Sequence, residues 1–384
     1  MHLLGEKQLS ERTLLLNYFM NHNLCKLLIF CFLFFIHGTC FCSHSELIIE
    51  PEQGTYPLLH AVDTARRSVN LVMYGFTDLE FVSALSQAKN KGKTIQVLLQ
   101  HYPYKATDEN TAAIEALLKS NVLLKWPSDH FQLTHQKTFL MDDGTAIVMT
   151  FNLTHSSFKN ERNFALIIHD ADDVKEIQNV FNADWQHKQT EVHQENLIWS
   201  PENSREKILS LIQHAQSDIR IYAESLTDYE VIGALARAAR KGVKVTLLTS
   251  VNTEKSSNKK FAFLQRAGVQ IVVSQHYYIH AKALIIDNQI AMLGSINFTR
   301  ESLDKNRELS VVTHDPVIIK QLQQTYDLDS HSNVLAPSVN FKKLSLPLLI
   351  VQGIKDLARF HKSDSQEHRH YRRHHRLRKK KLYV

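Results

Sequence analysis

The sequence predicts a duplicated α/β fold, because three kinds of signal occur twice along the chain in the same order. A Thr-Asp-x-Glu helix start at residues 77–80 recurs at residues 227–230, and each start opens an amphipathic helix. Each helix stops at a Lys-Gly pair and is followed by a β-rich run. A His-x-Lys strand occurs at His135 and, 145 residues later, at His280. Two copies of one βαβ-type unit imply a duplicated α/β fold.

The elements within each copy follow a common order. A helix leads into a strand, which is followed by the amphipathic helix, with Thr77 or Thr227 as its predicted N-cap, and then by a second strand. The predicted strands cover residues 68–74 and 95–99 in the first copy, and 218–223 and 243–248 in the second.

Length and composition indicate two globular domains and a basic tail. The chain has 384 residues, of which 43% are hydrophobic and 22% charged, so two domains of about 150 residues fit. The polar segment 187–196 reads as a linker, which gives a first repeat over 43–192 and a second over 193–330. Residues 355–384 carry eleven Lys or Arg against three Asp or Glu. The net charge of these residues alone therefore exceeds the net charge of +6 of the whole chain. We expect residues 331–384 to be largely disordered.

The N-terminal segment has the pattern of an export signal. Residues 27–36 form an apolar run of ten residues after Lys26. A membrane-spanning helix needs about twenty such residues, so ten suit the core of a signal peptide. We therefore expect residues 1–42 to direct export, giving a secreted or periplasmic protein, with a retained membrane anchor as the alternative. All four cysteines lie in this segment, which excludes disulfides and thiol catalysis from the rest of the chain.

The second His-x-Lys strand gathers polar groups that suit an anion. Side chains alternate along a strand, so His280 and Lys282 point the same way from an otherwise apolar strand. Burying both groups is costly unless they meet an anion. The strand ends in a tight turn at Asp287, and Asn297 follows a Gly-Ser corner where the backbone can approach a ligand. An imidazole, an ammonium and an amide in one place indicate phosphate.

This pattern resembles the signature of the phospholipase D superfamily, in which His-x-Lys is followed by Asp and then by Gly-Ser-x-Asn. The second copy matches it throughout, at His280, Lys282, Asp287, Ser295 and Asn297.

The first copy repeats the spacing and departs from it at one place. It contains His135, Lys137, Asp142, Thr150 and Asn152. Here Met149 replaces the glycine, bringing a bulky side chain where the family has none. A glutamate follows each copy, at Glu161 and at Glu308, as in many members of the family.

The resemblance implies tandem phospholipase D-like domains, built of mixed β-sheets flanked by helices, with one active site at their pseudo-two-fold interface. One histidine would attack phosphorus to form a phosphohistidine, and the other would protonate the leaving alcohol and then activate water. By analogy with two-copy relatives we favour His135 as nucleophile and His280 as acid. The motif aspartate or the later glutamate would orient each imidazole. The implied phosphate ligands, with no metal and no cofactor, are Lys137, Lys282, Asn152, Asn297, Thr150 and Ser295.

Four functions fit this pattern. The first is a phospholipase D-type hydrolase that removes the headgroup alcohol of a phospholipid. The alternatives are a metal-independent endonuclease, a phosphatidyltransferase that makes cardiolipin-like lipids, and a non-catalytic polyanion-binding relic, which only Met149 suggests. The tail, with eight Lys or Arg in residues 369–381, could bind an anionic membrane surface or nucleic acid. The oligomeric state stays open, and a monomer would suffice.

Overall fold

The computed structural model describes residues 45–335, apart from 104–107, 143, 252, 254–257 and 332–333. The predicted export signal and the predicted tail from residue 336 onward lie outside the described residues. Within the described part, no helix is long and apolar enough to cross a bilayer.

The first half of the described chain alternates strands and helices. Its elements are β1 (Glu46–Glu50), α1 (Tyr56–Thr64), β2 (Ser68–Met73), α2 (Leu79–Asn90), β3 (Thr94–Leu99), α3 (Thr111–Lys119), β4 (Leu123–Lys125), β5 (Thr138–Met141), β6 (Thr145–Met149), β7 (Glu161–Ile168) and α4 (Ala171–Trp185). A short 3-10 helix, His155–Phe158, precedes β7.

The second half repeats this succession. Its elements are β8 (Leu197–Ser200), α5 (Ser204–His214), β9 (Asp218–Ala223), α6 (Tyr229–Arg240), β10 (Lys244–Ser250), α7 (Asn258–Arg266), β11 (Gln270–Ser274), β12 (Tyr278–Ile279), β13 (Lys282–Ile286), β14 (Ile290–Gly294), α8 (Arg300–Asp304), β15 (Glu308–Thr313), α9 (Pro316–His331) and β16 (Val334–Leu335).

Two mixed sheets with the same strand order confirm the predicted duplication. The first runs β1-β7-β6-β5-β2-β3-β4, and the second contains β8-β15-β14-β13-β9-β10-β11 in the corresponding order. In each, the βαβ strands are parallel and the neighbours on the His-x-Lys side are antiparallel. The strand predicted to carry His280 and Lys282 is interrupted, because Tyr278 and Ile279 pair with β7 of the first sheet and not with the second sheet.

The two amphipathic helices begin one residue later than the sequence suggested. Asp78 and Asp228, rather than the threonines before them, are the N-caps, and their carboxylates accept backbone hydrogen bonds from the first turn. Gly92 and Gly242 follow the helix ends with φ values of +91° and +95°, in the left-handed region that favours glycine.

One apolar core joins the halves. It contains side chains from both sheets together with α4 and α9, and Phe164 of β7 meets Tyr222 of β9 with ring centroids 5.1 Å apart. The remaining helices cover the outer faces of the sheets and form a separate core in each half.

Two buried arginines cross between the halves in equivalent positions. Arg162 of β7 pairs with Asp329 of α9 at 2.7 Å, and Arg307 pairs with Asp184 of α4 at 3.0 Å. The backbone oxygen of Arg307 accepts hydrogen bonds from the amide of His135, and that of Arg162 accepts from the amide of His280. Each motif histidine is therefore fixed by the opposite half.

Candidate active site

His135 is oriented by a carboxylate from the other half. Its Nδ1 lies 2.8 Å from Oε2 of Glu308, which is fully buried at the start of β15. Asn306 donates to the other carboxylate oxygen at 3.0 Å. The ring of Tyr74 meets the imidazole edge-on, with centroids 4.6 Å apart. Because Glu308 accepts the Nδ1 hydrogen, the lone pair of His135 is left on Nε2.

His280 is oriented mainly by an amide. Its Nδ1 lies 3.1 Å from Oδ1 of Asn163 and 3.8 Å from Oε2 of Glu161. Asn163 in turn donates to Glu161 at 3.0 Å, so the glutamate acts on the imidazole through the amide. On the other side of the ring, Nε2 lies 3.6 Å from Oε1 of Glu224.

The two lysines bring the half-sites together. Lys137 is fully buried, donates to the backbone oxygen of His135 at 2.7 Å and lies 5.2 Å from the ring centroid of Tyr74. Lys282 donates to the backbone oxygen of His280 at 2.6 Å and to that of Thr150 at 3.2 Å. Since Thr150 belongs to the first half, the second lysine reaches across the interface.

The predicted phosphate-binding side chains already have partners within the protein. Oδ1 of Asn152 accepts from the amide of Gly75 at 3.1 Å, and Nδ2 of Asn297 donates to Glu224 at 3.1 Å. The hydroxyl of Thr150 donates to Asn163 at 2.9 Å.

The hydroxyl of Ser295 bonds the backbone of Leu309, at 3.3 Å to its oxygen and 3.2 Å from its nitrogen. Thr150 and Ser295 thus connect neighbouring strands, whereas the two asparagines bond to residues that follow β2 and β9.

The motif aspartates lie at the opposite ends of the motif strands, which does not agree with a catalytic or His-orienting role. Asp142 accepts from the backbone amides of Arg66 and Ser68 at 3.0 and 3.1 Å. Asp287 accepts from the amides of Ser217 and Asp218 at 2.7 and 2.9 Å. Each carboxylate satisfies the backbone of the turn that leads into β2 or β9, so its role is structural.

Met149 does not crowd the phosphate site. It is fully buried in the core of the first half and pairs with Ala165 of β7. Because successive residues of a strand face opposite ways, Thr150 turns toward the site while Met149 turns away from it. The substitution of glycine by methionine therefore leaves this half-site intact.

Sequence reasoning missed three residues, namely Asn163, Tyr74 and Glu224. The spacing of 145 residues between the histidines aligns Glu308 with Asn163, and it aligns Asn306 with Glu161. Glutamate and asparagine have thus exchanged places between the halves. Glu161 and Glu308 therefore do not occupy equivalent positions on their strands. Tyr74 and Glu224 occupy equivalent positions directly after β2 and β9.

Burial and mutual repulsion set the electrostatics of the site. Burial lowers the pKa of His135, and it lowers that of His280 to about 4 although Glu224 opposes the shift. Burial and the charge of Lys282 lower the pKa of Lys137 to about 7. Burial alone would raise the pKa of Glu224, but His280 and Lys282 hold it well below its usual range. Both imidazoles are therefore neutral at pH 7 before an anion binds.

A comparison with known protein families identifies the family to which this chain belongs. A family model described as cardiolipin synthase, PLD-like domain, matches residues 58–185 and 208–329, which include both histidine motifs. The chain belongs to the phospholipase D superfamily. In the described residues of this superfamily member, no group of three or more His, Cys, Asp or Glu side chains could hold a metal ion.

Two curated proteins resemble this superfamily member over part of their length. Cardiolipin synthase 1 of Staphylococcus epidermidis is 30% identical over 145 residues, which cover 36% of this chain and 30% of that protein. Mitochondrial cardiolipin hydrolase of Xenopus tropicalis is 27% identical over 122 residues, 32% of this chain and 58% of that one. The matched part is therefore less than two thirds of either relative.

The whole fold has a counterpart among solved structures. The crystal structure of phosphatidylserine synthase from Haemophilus influenzae has a TM-score of 0.64 at 11% identity, covering 83% of this chain and 93% of that one. At this identity the likeness concerns the fold alone.

Proposed function

We propose that this chain is a phospholipid phosphodiesterase that works through a phosphohistidine. The observation that carries the proposal is the convergence of His135 and His280, each beside its own lysine, with Lys282 bonded to Thr150 of the opposite half. The names of the relatives, which include a cardiolipin synthase and a cardiolipin hydrolase, support a phospholipid as the substrate.

In the first step, Nε2 of His135 attacks phosphorus and the bond from phosphorus to the headgroup oxygen breaks. The negative charge of the bound phosphodiester favours a charged imidazole, so His280 takes up a proton from solvent when the substrate binds. The Nε2 hydrogen of His280 then passes to the headgroup oxygen, and the headgroup leaves as an alcohol. Glu308 accepts from Nδ1 of His135, so it stabilises the positive charge that develops on the imidazole as the nitrogen–phosphorus bond forms. This contact favours His135 as the nucleophile.

In the second step, an incoming hydroxyl gives its proton to Nε2 of His280 and its oxygen attacks phosphorus, which releases His135. The Nδ1 hydrogen of His280 stays on the ring and is donated to Oδ1 of Asn163, so Nε2 alone exchanges protons. Water as the incoming group gives hydrolysis, which we propose as the main reaction. A second lipid alcohol gives phosphatidyl transfer by the same route, and it is the alternative product.

The test is the purified chain with phospholipid vesicles and, separately, with single- and double-stranded DNA. We expect phosphatidic acid and free headgroup from lipid, with the phosphorus trapped on His135 after acid quenching. Release of nucleotides from DNA without lipid turnover would show that the substrate class is wrong. A new diester without phosphatidic acid would assign the transferase reaction instead.

Export of the chain is a separate proposal, and it rests on the N-terminal sequence alone. An export signal over residues 1–42 would deliver the enzyme to an outer membrane surface, where its proposed substrate lies. Intact-mass analysis of the exported protein should show that all four cysteines are gone.

A further inference from the structure

The two half-sites differ most in the residue that follows the first strand of each sheet. Tyr74, after β2, presents an aromatic ring to His135 and Lys137. The equivalent residue after β9 is Glu224, which presents a carboxylate to His280. A phosphate site gains nothing from an extra negative charge, so this carboxylate needs another explanation.

One oxygen of Glu224 is anchored and the other is not. Oε2 accepts from Nζ of Lys282 at 2.5 Å and from Nδ2 of Asn297 at 3.1 Å. Oε1 faces Nε2 of His280 at 3.6 Å and accepts no hydrogen bond from any described residue. The side chain of Glu224 is 22% exposed, so part of it is accessible to a ligand.

The free oxygen lies beside the position where the headgroup alcohol reacts. His280 exchanges its Nε2 proton with the headgroup oxygen, so that oxygen must bind next to Oε1 of Glu224. A carboxylate can only accept a hydrogen bond. It therefore suits an alcohol that carries a second donor on the carbon next to the one that bears the reacting oxygen. Glycerol has such a donor in a hydroxyl and ethanolamine has one in its ammonium, whereas choline and ethanol have none.

We propose that Glu224 determines headgroup specificity by accepting a hydrogen bond from a donor on the carbon next to the one that bears the reacting oxygen. This inference rests on the proposed phosphodiesterase function and names the class of alcohol that the site prefers. A hydrogen bond to a charged acceptor that would otherwise stay unpaired gives a preference of about 10- to 100-fold.

The test compares four lipids with the same acyl chains in mixed micelles, using the full chain. We expect kcat/KM for phosphatidylglycerol and phosphatidylethanolamine to exceed that for phosphatidylcholine and phosphatidylethanol by about 10- to 100-fold. Glu224→Ala, and Glu224→Tyr to copy the first half-site, should bring the four values close together. Which of the two preferred lipids reacts faster tells whether the donor is a hydroxyl or an ammonium.

A matched control is Glu80→Gln, which removes an exposed carboxylate on α2 and should leave the ratios unchanged. A binding measurement separates this inference from the proposed function. In His135→Ala, calorimetry should show that glycerophosphoglycerol binds more tightly than glycerophosphocholine, and that adding Glu224→Ala removes the difference.

Two results would overturn the inference while leaving the phosphodiesterase intact. The first is an unchanged headgroup ratio in Glu224→Ala. The second is an equal rise in rate for all four lipids, since Glu224 would then merely compete with the phosphate for Lys282 and Asn297. Failure of the wild-type chain to cleave any lipid would instead count against the proposed function, and the binding measurement would still decide the role of Glu224.

Discussion

The residues of the two motifs divide into those that contact the substrate and those that stabilise the strands. His135 and His280 have distinct partners, Glu308 and Asn163, so neither histidine can take over the role of the other. We expect His135→Ala and His280→Ala each to lower kcat by about 10²- to 10⁴-fold, the usual effect of losing a positioned acid or base. Steady-state kinetics on micellar lipid would measure this.

The variant Asp142→Asn is an informative comparison with the two histidine variants. The carboxylate bonds the backbone of the turn before β2 and not an imidazole. We therefore expect a lower melting temperature with kcat largely retained in the folded protein. A loss of kcat as large as that of His135→Ala, at an unchanged melting temperature, would restore the aspartate to the catalytic set.

The pH dependence of anion binding should follow Lys137. Burial and the neighbouring Lys282 lower its pKa to about 7, so the charged form is lost as the pH rises through neutrality. Affinity for glycerophosphoglycerol in the His135→Ala background should fall between about pH 6 and about pH 8.5. Lys137→Arg should remove this decline, because a guanidinium stays charged. Constant affinity over the range in the lysine form would show that Lys137 is not a phosphate ligand.

Among the structural elements, the strand pair β14–β15 is more closely packed at the motif corner than its counterpart in the first half. A Cβ at Gly294 would lie 2.4 Å from the backbone oxygen of Leu309 and 2.4 Å from Cα of Ser310. The equivalent Met149 fits without conflict in the core.

Gly294→Ala should therefore destabilise the fold by about 1–3 kcal/mol, because the backbone must shift to admit the methyl group. Chemical denaturation would measure the change. The matched control is Gly233→Ala in α6, where the new Cβ meets only the flexible guanidinium of Arg237 at 3.2 Å. This control should be neutral or stabilising by up to about 1 kcal/mol. Equal effects of the two substitutions would contradict the proposed packing.

Local pattern was sufficient to predict the repeated helices and strands, since their signals lie within one turn or one strand. It could not predict the interruption of the strand before His280. There, Tyr278 pairs with Glu161, a partner more than a hundred residues away. The same limit explains the site: His-x-Lys is a local motif, whereas the roles of Asn163 and Glu224 depend on strand register and on the packing of the two sheets.

On the scale of the whole molecule, Arg162 and Arg307 hold the two halves together, because each pairs with an aspartate of the opposite half. Arg307 is 2% exposed and contacts Asp184, Glu202 and the ring of Phe131. Arg307→Met would leave a buried carboxylate without its partner, so we expect a loss of about 3–5 kcal/mol in the free energy of unfolding. The control is Arg67→Met, an 85% exposed residue paired with Asp142, which should cost no more than about 1 kcal/mol.

Calorimetric or denaturant unfolding of both variants would show the contrast. Activity should fall with Arg307→Met as well, because the backbone of this residue holds His135. Similar losses for the two arginines would mean that the interface does not depend on the buried pair.

The exchange of glutamate and asparagine between the halves has an evolutionary consequence. In a symmetric pair of identical chains, every substitution is made twice, and a change that suits one histidine is imposed on the other. Fusion of the two copies into one chain removes that constraint. The residues after β2 and β9 could then differ, with Tyr74 beside His135 and Glu224 beside His280. Each half of a duplicated gene can therefore be selected for its own role, as can two different subunits that are encoded by separate genes.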